Sequence, residues 1–304
     1  MDFKYKCYLQ KVLSSIPKGE KLNFLIQKYI TKKYPVTDKK FIQIVLSTKV
    51  HFDNFVKYRE LPGDKEFTCY EFGAGWDLIN PIGLSLLGIK RQYCIDIRQL
   101  VFPELLNDTI EKFRRLRKDL TFEYPMPENV PLITAENFRS ILSDCFGIFY
   151  EAPMDARVTA FESSSVDLIV SNLTFEHIPE CDIQKIFEEC YRILKPGGIF
   201  SCVIDYRDHW SYFDSTISIY NFLKYSPEQW KRYNPSLHYQ NRLRHSDYLS
   251  AIRQTCFEVV VDDPAFPSEE ELESLKTLSI HSDFSSRYTI EELAIKESRM
   301  VLKK

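Results

Sequence analysis

Two glycines stand one residue apart in Tyr70-Glu71-Phe72-Gly73-Ala74-Gly75-Trp76-Asp77, directly behind a short apolar run. An acid, Asp96, closes the next such run about 20 residues further on, the offset at which a carboxylate meets a ribose. Glycine at such a turn permits positive φ and lets a ligand approach the backbone with no Cβ in the way. A carboxylate at the end of the following strand can accept hydrogen bonds from both ribose hydroxyls of an adenosine. Asp155, just beyond a third run that ends at Glu151, stands where a side chain can meet an adenine edge. A dinucleotide would require a third glycine and a helix N-terminus facing its pyrophosphate. The position three beyond Gly75 is Leu78, the next helix is expected to begin only near Pro81, and the chain holds no Gly-Lys-Ser/Thr phosphate loop. The set therefore points to an adenosine ligand without a diphosphate.

These residues need a scaffold that brings strand ends together. From about residue 67 onward apolar runs alternate with helical patterns, as in a parallel sheet covered by helices on both faces. The expected strands are Phe67 to Glu71, Tyr93 to Asp96, Ile148 to Glu151, Val166 to Ser171, Ile199 to Ile204, Phe257 to Val261 and Met300 to Leu302. The last of these is expected to be an antiparallel edge strand. Pro81, capped by Asn80, opens a short helix that stops at Gly88. Ile183, Ile186, Phe187, Cys190, Ile193 and Leu194 recur at helical spacing, and Lys195-Pro196-Gly197-Gly198 ends that helix. Residues 1–60 read as a helical extension without a site motif. The long stretch between Asp96 and strand three contains Pro125, Pro127 and Pro131 and reads in part as a loop or lid. Residues 206–243 interrupt the path from strand five to the next helix.

Glu71-Phe72-Gly73-Ala74-Gly75 resembles the first motif of class I S-adenosylmethionine-dependent methyltransferases, an acid followed by x-Gly-x-Gly. Asp96 matches that family's ribose-binding acid and Asp155-Ala156 its adenine-contacting pair. Ser165 to Asn172, followed by Phe175-Glu176-His177-Ile178, resembles the fourth-strand motif of the small-molecule branch. Leu194-Lys195-Pro196-Gly197-Gly198 resembles that branch's turn into strand five. The likeness covers roughly residues 67–205, in the expected order. It implies a Rossmann-like α/β fold with a seven-stranded, mostly parallel sheet between helices, residues 61–304 forming the methyltransferase domain. It also implies S-adenosyl-L-methionine as cofactor, held by Glu71, Gly73, Ala74, Gly75, Asp96, Asp155, Ala156 and Asn172. Trp76 departs from the pattern, standing where a third glycine is common. Ser171-Asn172-Leu173-Thr174 is not the Asn/Asp-Pro-Pro-aromatic motif usual in enzymes that methylate nucleic-acid amino groups.

Methyl transfer from a sulfonium is an in-line displacement, so the protein has to align the acceptor and exclude water. An alcohol acceptor must also lose a proton, which a general base assists. His177, after strand four, and His209, after strand five, are the candidates, with Asp205 or Asp208 to orient His209. Each could equally be a hydrogen-bonded residue without a chemical role. Ten aromatic side chains lie between residues 206 and 239, about twice the 14% of the whole chain. They suit a pocket for a sugar or aromatic acceptor, Tyr206 and Trp210 among its walls, and would equally serve to pack the insertion onto the sheet. Asn241-Arg242-Leu243-Arg244-His245-Ser246-Asp247-Tyr248-Leu249 is similar to a run in methyltransferases of bacterial surface-polysaccharide gene clusters. The likeness implies a sugar or glycan acceptor, with Arg242 and Arg244 pairing with its phosphate or carboxylate, or else with groups inside the fold.

The formal charge of −3 argues against a general nucleic-acid binder. No stretch approaches the ~20 apolar residues of a membrane span, and the eight cysteines form no Cys-x-x-Cys pair. The reading is a cytoplasmic protein with reduced thiols, no disulfide and no metal site. Sugar O-methylation is the first expectation. The alternatives are methylation of another small molecule at oxygen, nitrogen or carbon, and a non-catalytic protein that binds the cofactor.

Overall fold

The computed structural model describes residues 2–16, 19–30, 33–61, 66–120 and 122–304. Three N-terminal helices come first: α1 (Phe3–Ser14), α2 (Gly19–Leu25) and α3 (Asp38–Tyr58). Thr37 caps α3 by accepting from the Lys40 N–H, and Asp38 in the first turn suits the positive end of the helix dipole. The sheet then builds in chain order as β1 (Thr68–Phe72), α4 (Ile79–Leu86), β2 (Arg91–Ile95), α5 (Pro103–Arg115), α6 (Phe138–Phe146), β3 (Ile148–Glu151) and β4 (Val166–Asn172). There follow α7 (Glu180–Ile193), β5 (Leu194–Asp205), α8 (Pro227–Lys231), α9 (His245–Arg253), β6 (Glu258–Ala265) and β7 (Glu297–Lys303).

The strand order is β3-β2-β1-β4-β5-β7-β6, parallel except for β7, which runs antiparallel to both of its neighbours. The seven-stranded, mostly parallel sheet between helices is as expected. The expected edge position of the last strand is corrected: β7 lies between β5 and β6, and β6 is the edge. Burial explains the choice, since Met300, Val301 and Leu302 are covered on both faces while β6 is half exposed. The start of α4 also differs. It begins at Ile79, behind Leu78 at φ 49°, and Asn80 lies inside the helix, where its side chain is occupied elsewhere.

Successive side chains of a strand face opposite ways, and the two cores follow that alternation. Cys69, Leu168, Val170 and Ile199 meet Phe55 of α3 and Leu84 of α4 on one face. Tyr70, Phe72, Ile169, Phe200 and Cys202 meet Ile183, Ile186, Phe187 and Cys190 of α7 on the other, together with Tyr248 and Ile252 of α9. The apolar stripe read from the sequence of α7 is therefore its sheet-facing side. Residue 60 does not separate two cores: Phe41 and Val45 of α3 share a cluster with Ile79 and Ile82 of α4. A further core joins Trp210, Phe222 and Trp230 of the aromatic segment to Leu275, Phe284 and Leu293 near the C-terminus and to Phe3 of α1. Among the described residues no helix is long and apolar enough to cross a membrane.

Candidate active site

In an open parallel sheet the crevice for a ligand forms at the carboxyl ends of the strands, where the winding reverses. Here β1 has β2 on one side and β4 on the other, so the reversal falls at the end of β1. Glu71 sits there, almost completely buried. Its Oε1 accepts from Asn80 Nδ2 at 2.8 Å, and its Oε2 has no partner. Burial pushes this carboxyl up to about 8, with Asn80 opposing and Asp96 adding to the rise.

The loop that follows turns on Gly73 at φ 75° and Gly75 at φ 78°. The Gly75 N–H donates to Asp96 Oδ2 at 3.0 Å, which ties the loop to the end of β2. Asp96 is itself pushed up to about 7, chiefly by burial, with the Gly75 N–H and Arg98 acting against it. A Cβ on Gly75 would meet nothing within 4 Å, so its backbone borders open space.

That space divides in two around Asp96. A smaller cavity of about 280 Å³ has apolar walls from Ile95, Ile97, Met154, Ala156 and Ile178, with Asp155 at its side. Arg157 grips Asp155 with its Nη2 at 2.6 Å and its Nε at 3.0 Å, which holds that carboxyl below its ordinary value. The larger cleft, about 540 Å³, runs past Glu71, Gly73, Ala74, Gly75 and Asn172 toward His177. Its far wall comes from Ser236 to Tyr239, and its roof from Asn23, Tyr34 and Lys40 of the N-terminal segment. All eight residues expected to hold the cofactor border one or both of these spaces.

Whether an adenosine with an amino-acid tail suits this space can be judged from the donors and acceptors present. Asp96 offers a buried carboxylate, Glu71 an unpartnered oxygen, Gly75 an open backbone and the smaller cavity an apolar slot. Nothing in the set is arranged for phosphate, and the residues fit. Residues 136–202, from just before α6 through most of β5, match the family model described as "Methyltransferase domain". Over those residues the chain is similar to that family.

Other comparisons give shorter or looser likenesses. A stretch of 39 residues is 51% identical to malonyl-[acyl-carrier protein] O-methyltransferase 1 of Coxiella burnetii (strain RSA 493 / Nine Mile phase I). That match spans 13% of this chain and 13% of the relative's own length. Among solved structures, geranyl diphosphate C-methyltransferase from Streptomyces coelicolor A3(2) aligns at a TM-score of 0.47 and 14% identity, over 89% of this chain and 86% of its own. An S-adenosylmethionine-dependent methyltransferase from Mesorhizobium loti aligns at 0.42 and 12%, over 85% and 96%.

The chain places its two candidate histidines side by side, with ring centroids 5.0 Å apart in an edge-to-face arrangement. His177 opens onto both cavities, while His209 lies behind it and is buried. The atoms packed beneath the His177 ring, with His209 adding, lower its imidazole to about 4, so it is neutral near pH 7 while its outer edge faces the cleft. Asp205, not Asp208, is the acid beside His209: its Oδ2 is 3.3 Å from His209 Nε2. Asp208 instead accepts from the Trp210 N–H at 2.8 Å and from Asn221 at 3.1 Å.

Four residues expected at the acceptor are corrected. Arg244 is completely buried and donates at 2.8 Å to the carbonyls of Tyr206, Leu293 and Ile295, so no acceptor reaches it. Arg242 donates to the carbonyls of Phe222 and Tyr225 and lies over the Phe284 ring. Trp210 and Tyr206 are buried as well. Trp210 Nε1 donates to the Tyr233 carbonyl at 2.9 Å, and the Tyr206 hydroxyl pairs with Ser298. In each case the fold's own carbonyls and hydroxyls take up the polar groups that the sequence left free to imagine a ligand.

Sequence reasoning missed the roof and the floor of the cleft. Tyr34 stacks on Trp76 at 5.2 Å and 5°, which gives a role to the residue in the third-glycine position. Glu176 stands in the Phe175-Glu176-His177-Ile178 segment, where the sequence suggests no role for it. It is buried between the two histidine-bearing turns, and neither carboxylate oxygen has a hydrogen-bond partner. A buried acid flanked by histidine in the segment after strand four was the available signal.

Proposed function

We propose that this chain moves a methyl group from S-adenosylmethionine to an oxygen of a small hydroxylated acceptor, a sugar or glycan precursor. The observation that carries the reading is the neutral His177 on the wall of the cleft, backed by His209 and Glu176. An oxygen acceptor needs somewhere to send its proton, and a neutral imidazole within reach of the acceptor can take it. When bound, the cofactor supplies the electrophilic methyl group and the sulfur leaving group. The chain's own residues do the rest. Asp96 and the loop at Gly75 hold the adenosine, and Glu71 with Asn80 closes the buried end of the site. Tyr34 and Trp76 roof the cleft against water.

The size and polarity of the cleft support a small, hydrogen-bonding acceptor. Asn23, Lys40, Ser236, His238 and Tyr239 offer it amide, ammonium, hydroxyl and imidazole groups. The curated relative with the matching segment is named as an O-methyltransferase, in keeping with an oxygen acceptor. The test begins with calorimetric titration of S-adenosylhomocysteine against the wild type and Asp96→Ala. Methyl transfer from labelled cofactor is then measured on a panel of nucleotide sugars and free sugars. His177→Ala is expected to keep cofactor binding and lose roughly 10²-fold or more in turnover. Unchanged turnover in that variant refutes the role given to His177, and amine acceptors alone turning over refutes the oxygen acceptor.

A further inference from the structure

We propose that Glu176, His177 and His209 bind one divalent first-row transition cation, of the zinc, manganese or iron kind, at the floor of the acceptor cleft. One ligand-capable atom from each of the three residues lies within 4.8 Å of the other two. A cation with bonds of about 2.0–2.2 Å to nitrogen and oxygen draws such atoms together with small rotamer adjustments. The residues come from two separate turns, one after β4 and one after β5, so the convergence is made by the sheet and not by sequence proximity.

The second observation is the state of the donor atoms. Glu176 is 2% exposed, and neither of its oxygens has a hydrogen-bond partner. A buried carboxylate without a well-formed hydrogen bond is costly unless a cation or a proton meets it. The Asp205 carboxylate beside it repels a negative charge on Glu176, and Asp205 is already engaged by Arg207 and the Tyr212 hydroxyl. His209 Nε2 is likewise buried and lies 3.3 Å from Asp205 Oδ2, a carboxylate that a cation at this place would also meet. His177 shows the arrangement a metal-binding imidazole requires. Its Nδ1 lies 2.7 Å from the Tyr239 carbonyl, which can only accept, so Nδ1 carries the proton and the lone pair is left on Nε2.

Two imidazoles and one carboxylate are the donors of catalytic zinc and of open non-haem iron sites, whereas magnesium and calcium prefer all-oxygen sets. Three protein ligands leave coordination positions free, and the only one of the three open to the cleft is His177. A cation here would use the His177 Nε2 lone pair and take an acceptor oxygen as a further ligand, lowering the pKa of that oxygen so that its proton leaves to solvent in place of direct transfer to His177; this assignment rests on the reading of the cleft as the acceptor site. His238, whose Nε2 is also buried without a hydrogen-bond partner, lies next to His209 with ring centroids 6.2 Å apart.

The experiment uses the full chain, freed of metal by a chelator and of any affinity tag. It is titrated with Zn²⁺ by calorimetry and with Co²⁺ by visible absorption, in the absence of any acceptor. The expected result is saturable binding of one equivalent, with a d–d band and no sulfur charge-transfer band. Glu176→Gln and His209→Ala should each weaken binding at least tenfold while S-adenosylhomocysteine affinity stays within twofold. The exposed thiols are controlled by Cys181→Ser with Cys256→Ser, which should leave binding unchanged. If a histidine variant does not fold, Co²⁺ broadening of the imidazole proton signals of the wild type reads the ligands directly. Broadening at His245 or His281 instead of His177 and His209 overturns the proposal, as does the absence of one-equivalent binding. Metal binding without methyl transfer to any hydroxyl would sink the acceptor reading and leave the site standing. The reverse pattern would do the opposite.

Discussion

Gly73 and Gly75 have nearly the same backbone conformation, at φ 75° and 78°, but different surroundings, and this separates folding from cofactor binding. Alanine at either position must adopt a left-handed conformation, which costs about 1–2 kcal/mol. At Gly75 nothing else is lost, because an added Cβ meets no atom within 4 Å. For a protein of this size a loss near 1 kcal/mol lowers Tm by about 2–4 °C. The methyl group would, however, project into the cleft proposed above for the cofactor. Gly75→Ala is therefore expected to fold, to melt a few degrees lower, and to bind S-adenosylhomocysteine at least about tenfold more weakly, or 1.4 kcal/mol. At Gly73 the added Cβ would lie 2.3 Å from both the Oγ1 and the Cγ2 of Thr174. Overpacking of that kind costs a further 1–3 kcal/mol or so. Gly73→Ala should thus lose about 2–5 kcal/mol in all, and Thr174→Ala in the same chain should recover part of it. Denaturant unfolding gives the stabilities and calorimetry the affinities. The reasoning fails if Gly75→Ala binds the ligand like the wild type, or if Gly73→Ala is no less stable than Gly75→Ala.

Asp96→Asn should weaken S-adenosylhomocysteine by at least about tenfold, since hydrogen bonds to a charged group contribute about 1.5–3 kcal/mol each. Because burial raises the Asp96 carboxyl to about 7, wild-type affinity should fall as the pH drops below that value, and the Asn variant should lose the dependence. Affinity that is flat from pH 8 to 5.5 in the wild type would contradict this. Glu71, raised to about 8, binds its proton more tightly folded than unfolded, so its contribution to stability is complete below the unfolded value near 4.3 and lost as pH rises to 8. At 1.36 kcal/mol per unit that is on the order of 5 kcal/mol, and urea midpoints of Glu71→Gln should show a correspondingly shallower decline across this window. Arg244→Ala should cost about 3–6 kcal/mol, because three buried carbonyls lose their donor, and a change under 1 kcal/mol would show that the arginine is not the clamp described.

Spacing along the chain determined a good deal by itself. The alternation of apolar runs and the stripe on α7 specify the layered sheet, because a strand or helix buries one face through its own period. The glycine loop, Asp96 and Asp155 were legible for a related reason: each ends a strand, and parallel strands place their ends along one edge. Other features depend on contacts between residues distant in sequence, for which local pattern carries no signal. The insertion of β7 between β5 and β6 was settled by which apolar strand could be covered on both faces. Arg242 and Arg244 look like ligand-binding residues in sequence, and only packing shows their guanidinium groups consumed by backbone carbonyls. The N-terminal helices carry no motif, yet Asn23 and Tyr34 roof the cleft because α3 is built into the same core as the sheet. Glu176, His177 and His209 become one cluster only when β4 and β5 pair in register and bring the turns that follow them together. Local chemistry chose the residues, and long-range burial decided which of them face a ligand.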